Sequence, residues 1–323
     1  MGAKARFAAH LQRRVFCALA LLQEGAEPTG SDMILTTKTK IAMAGLAYRA
    51  IAMGRAVLGR DDCVSAERGG LKWCLDLREG IDFSIYLLGA FERSTVRALQ
   101  KLAIPGSVVF DIGANIGAHT LGLARSVGPA GRVFAIEPSD FAFAKLKRNL
   151  ALNPELESRT HAHQILLAAE IEAQLPPTIY ASWPLLAKET VHPKLRGRLS
   201  TTSNARVDTL DGFVEHEGID RLDLIKIDVD GHEYPVLKGG AKTLASFRPT
   251  LLMEMSPYVQ DEQSHGFAAL VALLQDADYS LEDASTGKTI LLQVDELQAL
   301  IPDGASINVV ARPRKVLGKA PVR

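Results

Sequence analysis

Two short stretches of the chain concentrate the residue types that do chemistry. In the first, Val108-Val109-Phe110-Asp111-Ile112-Gly113-Ala114-Asn115-Ile116-Gly117-Ala118-His119-Thr120, an apolar run ends in an acid and turns through two glycines. Gly113 and Gly117 permit positive φ and close backbone approach, and Asn115 is the residue type that best tolerates the left-handed region after glycine. A loop of this kind between a strand and a helix is expected to touch a ligand. A dinucleotide fingerprint would read G-x-G-x-x-G and set a pyrophosphate on the helix amides. Here the middle glycine is missing and a carboxylate closes the strand. An anion at Asp111 opposes a pyrophosphate and suits a ligand that carries an ammonium group. That points away from NAD and toward S-adenosylmethionine. Glu137 and Pro138 end the next apolar run, 26 residues after Asp111, where a carboxylate can accept hydrogen bonds from ribose hydroxyls. The plain alternative is that both acids cap the helices that follow them.

The second stretch is Asp223-Leu224-Ile225-Lys226-Ile227-Asp228-Val229-Asp230-Gly231-His232-Glu233, followed by Val236-Leu237-Lys238-Gly239-Gly240 and by Arg248-Pro249-Thr250-Leu251-Leu252-Met253-Glu254. Lys226 and Asp228 lie two apart on a strand and face the same side, a costly arrangement unless they pair or meet a ligand. Asp228 stands at the carboxyl end of that strand, where chemistry is expected. Glu233 can equally cap a helix starting near Pro235, and Glu254 can pair with Lys226 across neighbouring strands. A metal is not expected: His232-Glu233 lacks the second histidine of H-E-x-x-H, and Asp230 points opposite to Asp228 if the strand persists.

These residues need a scaffold. The pattern predicts strands at 71–77, 107–111, 132–136, 164–168, 222–228, 250–255, 279–281 and 307–311, with helices at 91–103, 118–126, 140–152 and 266–276, Asp140 capping the third of these. Short apolar strands alternating with helices imply an α/β fold with a mostly parallel sheet covered on both faces. Ligands of such sheets bind at the carboxyl ends of the strands. Residues 171–200 contain Pro176, Pro177, Pro184 and Pro193 and read as an irregular insertion on the substrate side.

The chain has 323 residues, 47% of them hydrophobic and 23% charged, with 37 Lys and Arg against 37 Asp and Glu. A neutral total gives no bulk attraction to nucleic acid, which is therefore not an expected partner. Cys17, Cys63 and Cys74 are odd in number and lack metal-ligand spacing, so they read as reduced thiols of a cytoplasmic protein. Charge is uneven, however, with nine basic residues against three acids over positions 1–60. The apolar run near Val15 to Leu22 follows basic residues as in a signal peptide, but no small-x-small cleavage site follows. Phe7, Leu11, Val15 and Leu19 recur at helical spacing. An amphipathic helix packed on the main domain is the preferred reading, with peripheral membrane contact through residues 1–60 as the alternative. Residues 41–58 are apolar yet hold Arg49 and Arg55, which favours a soluble or interfacial helix over a spanning one.

Taken in order, the glycine loop, the acid-Pro pair and the Ile225-Lys226-Ile227-Asp228-Val229-Asp230-Gly231 block with its following Val236-Leu237-Lys238-Gly239 and Arg248-Pro249 resemble the FkbM family of S-adenosylmethionine-dependent methyltransferases. The similarity covers roughly residues 68–256, with Asp230 in place of the family's usual Glu and Met253 where aliphatics are common. Residues 80–92 also look like this family, which makes Glu92 a candidate near the active site. The resemblance implies a Rossmann-like class I methyltransferase fold with a seven-stranded sheet over residues 66–315; outside it, residues 1–65 read as a basic helical extension and 316–323 as a tail. It implies O-methylation of a sugar, glycolipid or polyketide-like hydroxyl. The cofactor S-adenosylmethionine would be held by Asp111, Gly113, Asn115, Gly117, Glu137 and Pro138, with Asp228, His232, Glu254 and Glu92 as catalytic candidates. Two rivals stay open: a nicotinamide-dependent oxidoreductase on a related sheet, and a module that binds the donor without turnover. Oligomeric state and acceptor are not legible.

Overall fold

A computed structural model describes residues 37–181, 183–185, 197–263 and 265–314. The amphipathic pattern of residues 7–22, Cys17 and the tail at 316–323 lie outside them. The chain begins with helix α1 (Thr37–Val57), a hairpin β1 (Cys63–Arg68) and β2 (Leu71–Asp76), and helices α2 (Gly80–Leu88) and α3 (Arg93–Leu102). Gly80 opens α2. Alternation then sets in: β3 (Val108–Ile112), α4 (Thr120–Val127), β4 (Arg132–Ile136), α5 (Asp140–Ala151), the one-turn α6 (Pro154–Glu157) and β5 (Thr160–His163).

Next come β6 (Ile165–Ala168), β7 (Thr178–Ala181), β8 (Arg198–Thr201) and β9 (Arg206–Thr209), then α7 (Leu210–His216), β10 (Leu224–Ile227), α8 (Glu233–Lys238), α9 (Ala241–Phe247) and β11 (Thr250–Met255). The chain closes through α10 (Pro257–Gln260), α11 (Gly266–Asp276), β12 (Tyr279–Asp283), β13 (Thr289–Ile290), α12 (Val294–Leu300) and β14 (Ile307–Pro313).

One large sheet runs β13-β12-β14-β11-β10-β3-β4-β5. Pairing is parallel from β11 through β10, β3 and β4 to β5, and antiparallel where β14 enters between β11 and β12. Six of the seven expected strands lie in it, with β5 at one edge and the two-residue strand β13 at the other. One strand expectation needs correction. Thr160–His163, not residues 164–168, forms the sheet edge beyond β4, while Ile165–Ala168 pairs with β9 in a separate two-stranded sheet. The cause is local: Thr160-His161-Ala162-His163 is polar because an edge strand is half solvated, so apolarity alone misplaced the strand. In the expected insertion, β7 and β8 form an antiparallel hairpin.

Side-chain alternation splits the core. Phe110, Ile112, Ile225, Ile227 and Met253 pack on one face with Phe213, Leu237 and Phe267. Val109, Leu224 and Leu252 face the other side, with α2, α4 and α5. Asp111 and Lys226 are register partners on this second face. The chain leaves β3 toward β4 on one side, and β10 returns on the other. This reversal of strand order opens a crevice at the carboxyl ends of β3 and β10.

Candidate active site

The glycine loop leaves β3 in the conformation that its residues favour: Gly113, Asn115 and Gly117 have φ of 76°, 48° and 88°. The amides of Gly113 and Ala114 both donate to the Ile136 carbonyl, at 2.9 and 3.0 Å. The close approach that Gly113 permits is to the protein itself, since a Cβ there would lie 1.8 Å from the Asp228 carbonyl oxygen. Two loops, one after β3 and one after β10, therefore cross in contact at the crevice.

Asp111 does not present a free carboxylate to this crevice. Its side chain is fully buried, accepting a 2.6 Å bond from the Thr120 hydroxyl and standing 3.2 Å from Lys226 Nζ. Lys226 Nζ also lies 3.7 Å from Asp228 and donates to the Gly113 carbonyl at 2.9 Å. Burial alone would lower the lysine's pKa, but the Asp111 and Asp228 carboxylates outweigh it and hold the ammonium charged. The expected costly pair thus exists with a third member, Asp111. Nor does Glu254 meet Lys226 across the strands: Leu252 is the residue opposite Lys226 on β11.

Glu137 ends β4 and is buried. It accepts from the Asn115 amide at 2.9 Å and from the amide and hydroxyl of Ser139 at 2.9 and 2.6 Å. Three of about four acceptor positions of a carboxylate are thereby filled, so room remains for one ribose hydroxyl rather than two. Pro138 is partly exposed beside it, its carbonyl accepting from Gln164.

The loop after β10 is the acidic wall. Asp230 takes a left-handed φ of 50°, which removes the strand alternation that would have turned it from Asp228. Burial raises its pKa to about 8, with Asp228 and Glu233 adding to the rise. Glu254, half-buried at the end of β11, is raised by burial and then by Asp228, Asp230 and Glu92, offset in part by a hydrogen bond from Ser306. Glu233 braces the loop, accepting from the Val229 and Gly231 amides and from Gln260. His232 is exposed at the start of α8. Glu92, in a left-handed conformation at φ 46°, accepts from Thr95 at 3.0 Å and from Asn308 at 3.4 Å.

His119 follows the glycine loop. It is buried, neutral with a pKa lowered to about 4 by desolvation and then by Lys226. Phe91 packs on its ring, and neither ring nitrogen has a hydrogen-bond partner among the described residues. Nε2 lies 3.9 Å from Glu92. Nothing in a single histidine after a glycine loop announces this, because the signal is burial. Among the described residues no group of His, Cys, Asp and Glu is arranged to hold a metal ion.

The strand order, with β14 reversed between β11 and β12 and the acids gathered at the switch point, is that of a Rossmann-like methyltransferase fold. The profile described as the methyltransferase FkbM domain matches residues 111–281, over half of the chain, and the chain belongs to that family. Among curated relatives, the hexuronic acid methyltransferase AglP of Haloferax volcanii is 28% identical over 157 residues, 48% of this chain and 59% of the relative. Methyltransferase 1 of Beauveria bassiana is 32% identical over 149 residues, 41% of this chain and 58% of the relative. The chain spans about three-fifths of the length of these relatives. An FkbM methyltransferase structure from Methylobacillus flagellatus shares 17% identity at a TM-score of 0.38, over 92% of this chain and 59% of that one. A Bacillus cereus O-methyltransferase in complex with SAH shares 16% at 0.41, over 69% and 80%. Family membership makes S-adenosylmethionine the cofactor that the site has to fit.

Proposed function

We propose that the chain is an S-adenosylmethionine-dependent O-methyltransferase acting on a hydroxyl of a sugar, glycolipid or polyketide-like acceptor. The observation that carries this reading is the charge imbalance at the strand ends. Glu92, Asp111, Glu137, Asp228, Asp230 and Glu254 stand around one shared cation, Lys226, and a neutral histidine. Burial and neighbouring carboxylates raise Asp230 and Glu254, and a cationic ligand relieves such crowding. A dinucleotide would bring further negative charge, whereas S-adenosylmethionine brings a sulfonium and an ammonium. The residues therefore fit this cofactor.

When bound, S-adenosylmethionine supplies a methyl group activated by its sulfonium charge. The amides from Gly113 to Gly117 are all engaged within the protein, so the loop shapes the floor of the site rather than donating to the ligand, and Glu137 has an acceptor position left for a ribose hydroxyl. Asp228 is about one-third exposed and lines the crevice between the two loops. Asp230, raised to about 8, can hold or release a proton near neutrality, which suits a carboxylate that takes the acceptor's hydroxyl proton, and Glu254 beside it is raised by burial and by Asp228. Positioning does much of the remaining work, for which about 7–11 kcal/mol is available in well-oriented reactions. His232, exposed at the surface, is the weakest of the catalytic candidates.

Calorimetric titration of the purified chain with S-adenosylmethionine, S-adenosylhomocysteine and NAD tests the cofactor, with binding of the first two expected and binding of NAD alone refuting it. Mass spectrometry of glycan and lipid extracts incubated with chain and donor then looks for products heavier by one CH2. Binding without such products across acceptor classes would favour the donor-binding module.

A further inference from the structure

We propose that the outer face of α1 is a docking surface for an anionic membrane. The helix buries Ala47, Tyr48 and Ile51 against the domain, where Tyr48 meets Phe83 edge-on at 5.9 Å and donates to Asp62 at 2.7 Å. Its opposite face should then be polar. Instead Leu46, Met53 and Val57 are 66%, 67% and 66% exposed, and Leu58 follows at 47%. Positions 42, 46, 49, 53 and 57 recur at intervals of three and four, which draws one stripe along the helix. An apolar stripe facing solvent opposite a buried one marks a helix with a second partner.

Charge identifies that partner. Residues 33–60 contain Lys38, Lys40, Arg49, Arg55 and Arg60 and no acid. Arg55 is engaged with the Asp61 carbonyl and Tyr86, while Arg49 is exposed within the stripe and Arg60 is exposed just beyond the helix end. Across a two-fold interface with a second copy, Arg49 and Arg60 would bring like charges into an apolar contact. On an anionic headgroup layer they meet phosphates while Leu46, Met53 and Val57 enter the acyl boundary. Among the described residues no helix is long and apolar enough to cross a membrane, so α1 lies on the surface. The inference is independent of the methyl-donor reading.

The test is co-sedimentation of the full chain with phosphatidylcholine vesicles and with vesicles that also contain phosphatidylglycerol. Binding to the anionic vesicles is expected to be at least about tenfold stronger and to weaken with salt. It is expected to be lost in a Leu46→Glu, Met53→Glu variant and reduced in Arg49→Glu, Arg60→Glu, with both variants keeping the parent's thermal midpoint. Equal binding to both vesicle types, binding retained in both variants, or a dimer in light scattering that the Leu46→Glu, Met53→Glu pair dissolves would each overturn the proposal.

Discussion

At the scale of the residue, the site is governed by how a few buried charges share one another. Lys226 is 2% exposed and Asp111 is fully buried, so neither can recover its hydration if the other is removed. Replacing Lys226 by Met strands Asp111, and a loss of about 3–5 kcal/mol is expected in urea unfolding. Adding Asp111→Asn to that variant should return most of the loss, since the stranded charge is then gone. Asp230 gives a pH signature of unusual sign. Its folded pKa of about 8 lies above the ordinary carboxylate value, so the folded state binds more protons between the two. The contribution of this group to stability therefore falls as pH rises toward 8. A cationic donor favours the ionised form, so its affinity should rise with pH through the same window, with protons released on binding near neutrality. Calorimetry in buffers of different ionisation heat reads that release directly, and a pH-independent affinity would contradict it. His119 separates packing from recognition. His119→Phe keeps a ring against Phe91 and removes two buried unpaired nitrogens, so stability should hold or rise. Donor affinity should fall about tenfold if the ligand supplies the missing hydrogen bond, a contrast that thermal melts and titration together would show.

At the scale of the element, Asp140 shows where local reading stopped. The sequence made it the cap of the helix that it opens. In the structure Ser139 holds the cap position without a side-chain bond. Asp140 reaches instead to the Thr201 hydroxyl at 2.6 Å, the Gln164 amide at 2.7 Å, and the Ser203 and Asn204 amides. These bonds, Thr201 first, draw its pKa down to about 2. The carboxylate ties the start of α5 to the strand pair that follows β6. Asp140→Ala should loosen this clamp by about 1–3 kcal/mol and raise hydrogen exchange over 198–204 before it affects the main sheet. The glycine loop, by contrast, was legible almost entirely, because positive φ at Gly113, Asn115 and Gly117 is a property of those residue types. The strands β3, β4, β10 and β11 were legible from apolar runs, to within two residues at their ends. What escaped were pairings set by register between distant strands: Lys226 against Asp111, and the exchange of β5 for β6 at the sheet edge. No window along the chain contains both partners of either.

At the scale of the whole molecule, the amino-terminal hairpin is fastened to the methyltransferase sheet by two asparagines of one helix and its end. Asn153 accepts from the Lys72 amide at 3.0 Å and donates to the Lys72 carbonyl at 2.8 Å. Asn149, fully buried in α5, accepts from the Cys74 amide at 2.9 Å and donates to the Ile116 carbonyl at 2.9 Å. Asn149→Leu leaves two buried backbone groups without partners, and a loss of about 2–5 kcal/mol is expected, together with weaker donor binding although the side chain touches no donor. Denaturant curves and titration of the same variant check both halves.

One amide side chain thus spans from the flank of the hairpin to the middle of the glycine loop. Whatever pulls on β2, through the hairpin or the helix packed beside it, tugs on the Ile116 carbonyl by the same strut. The amino-terminal hairpin and the crevice loop share one strut, so a chain cut before β3 would keep the glycine loop and the β10 block and lose the Cys74 anchor that holds Asn149 against Ile116.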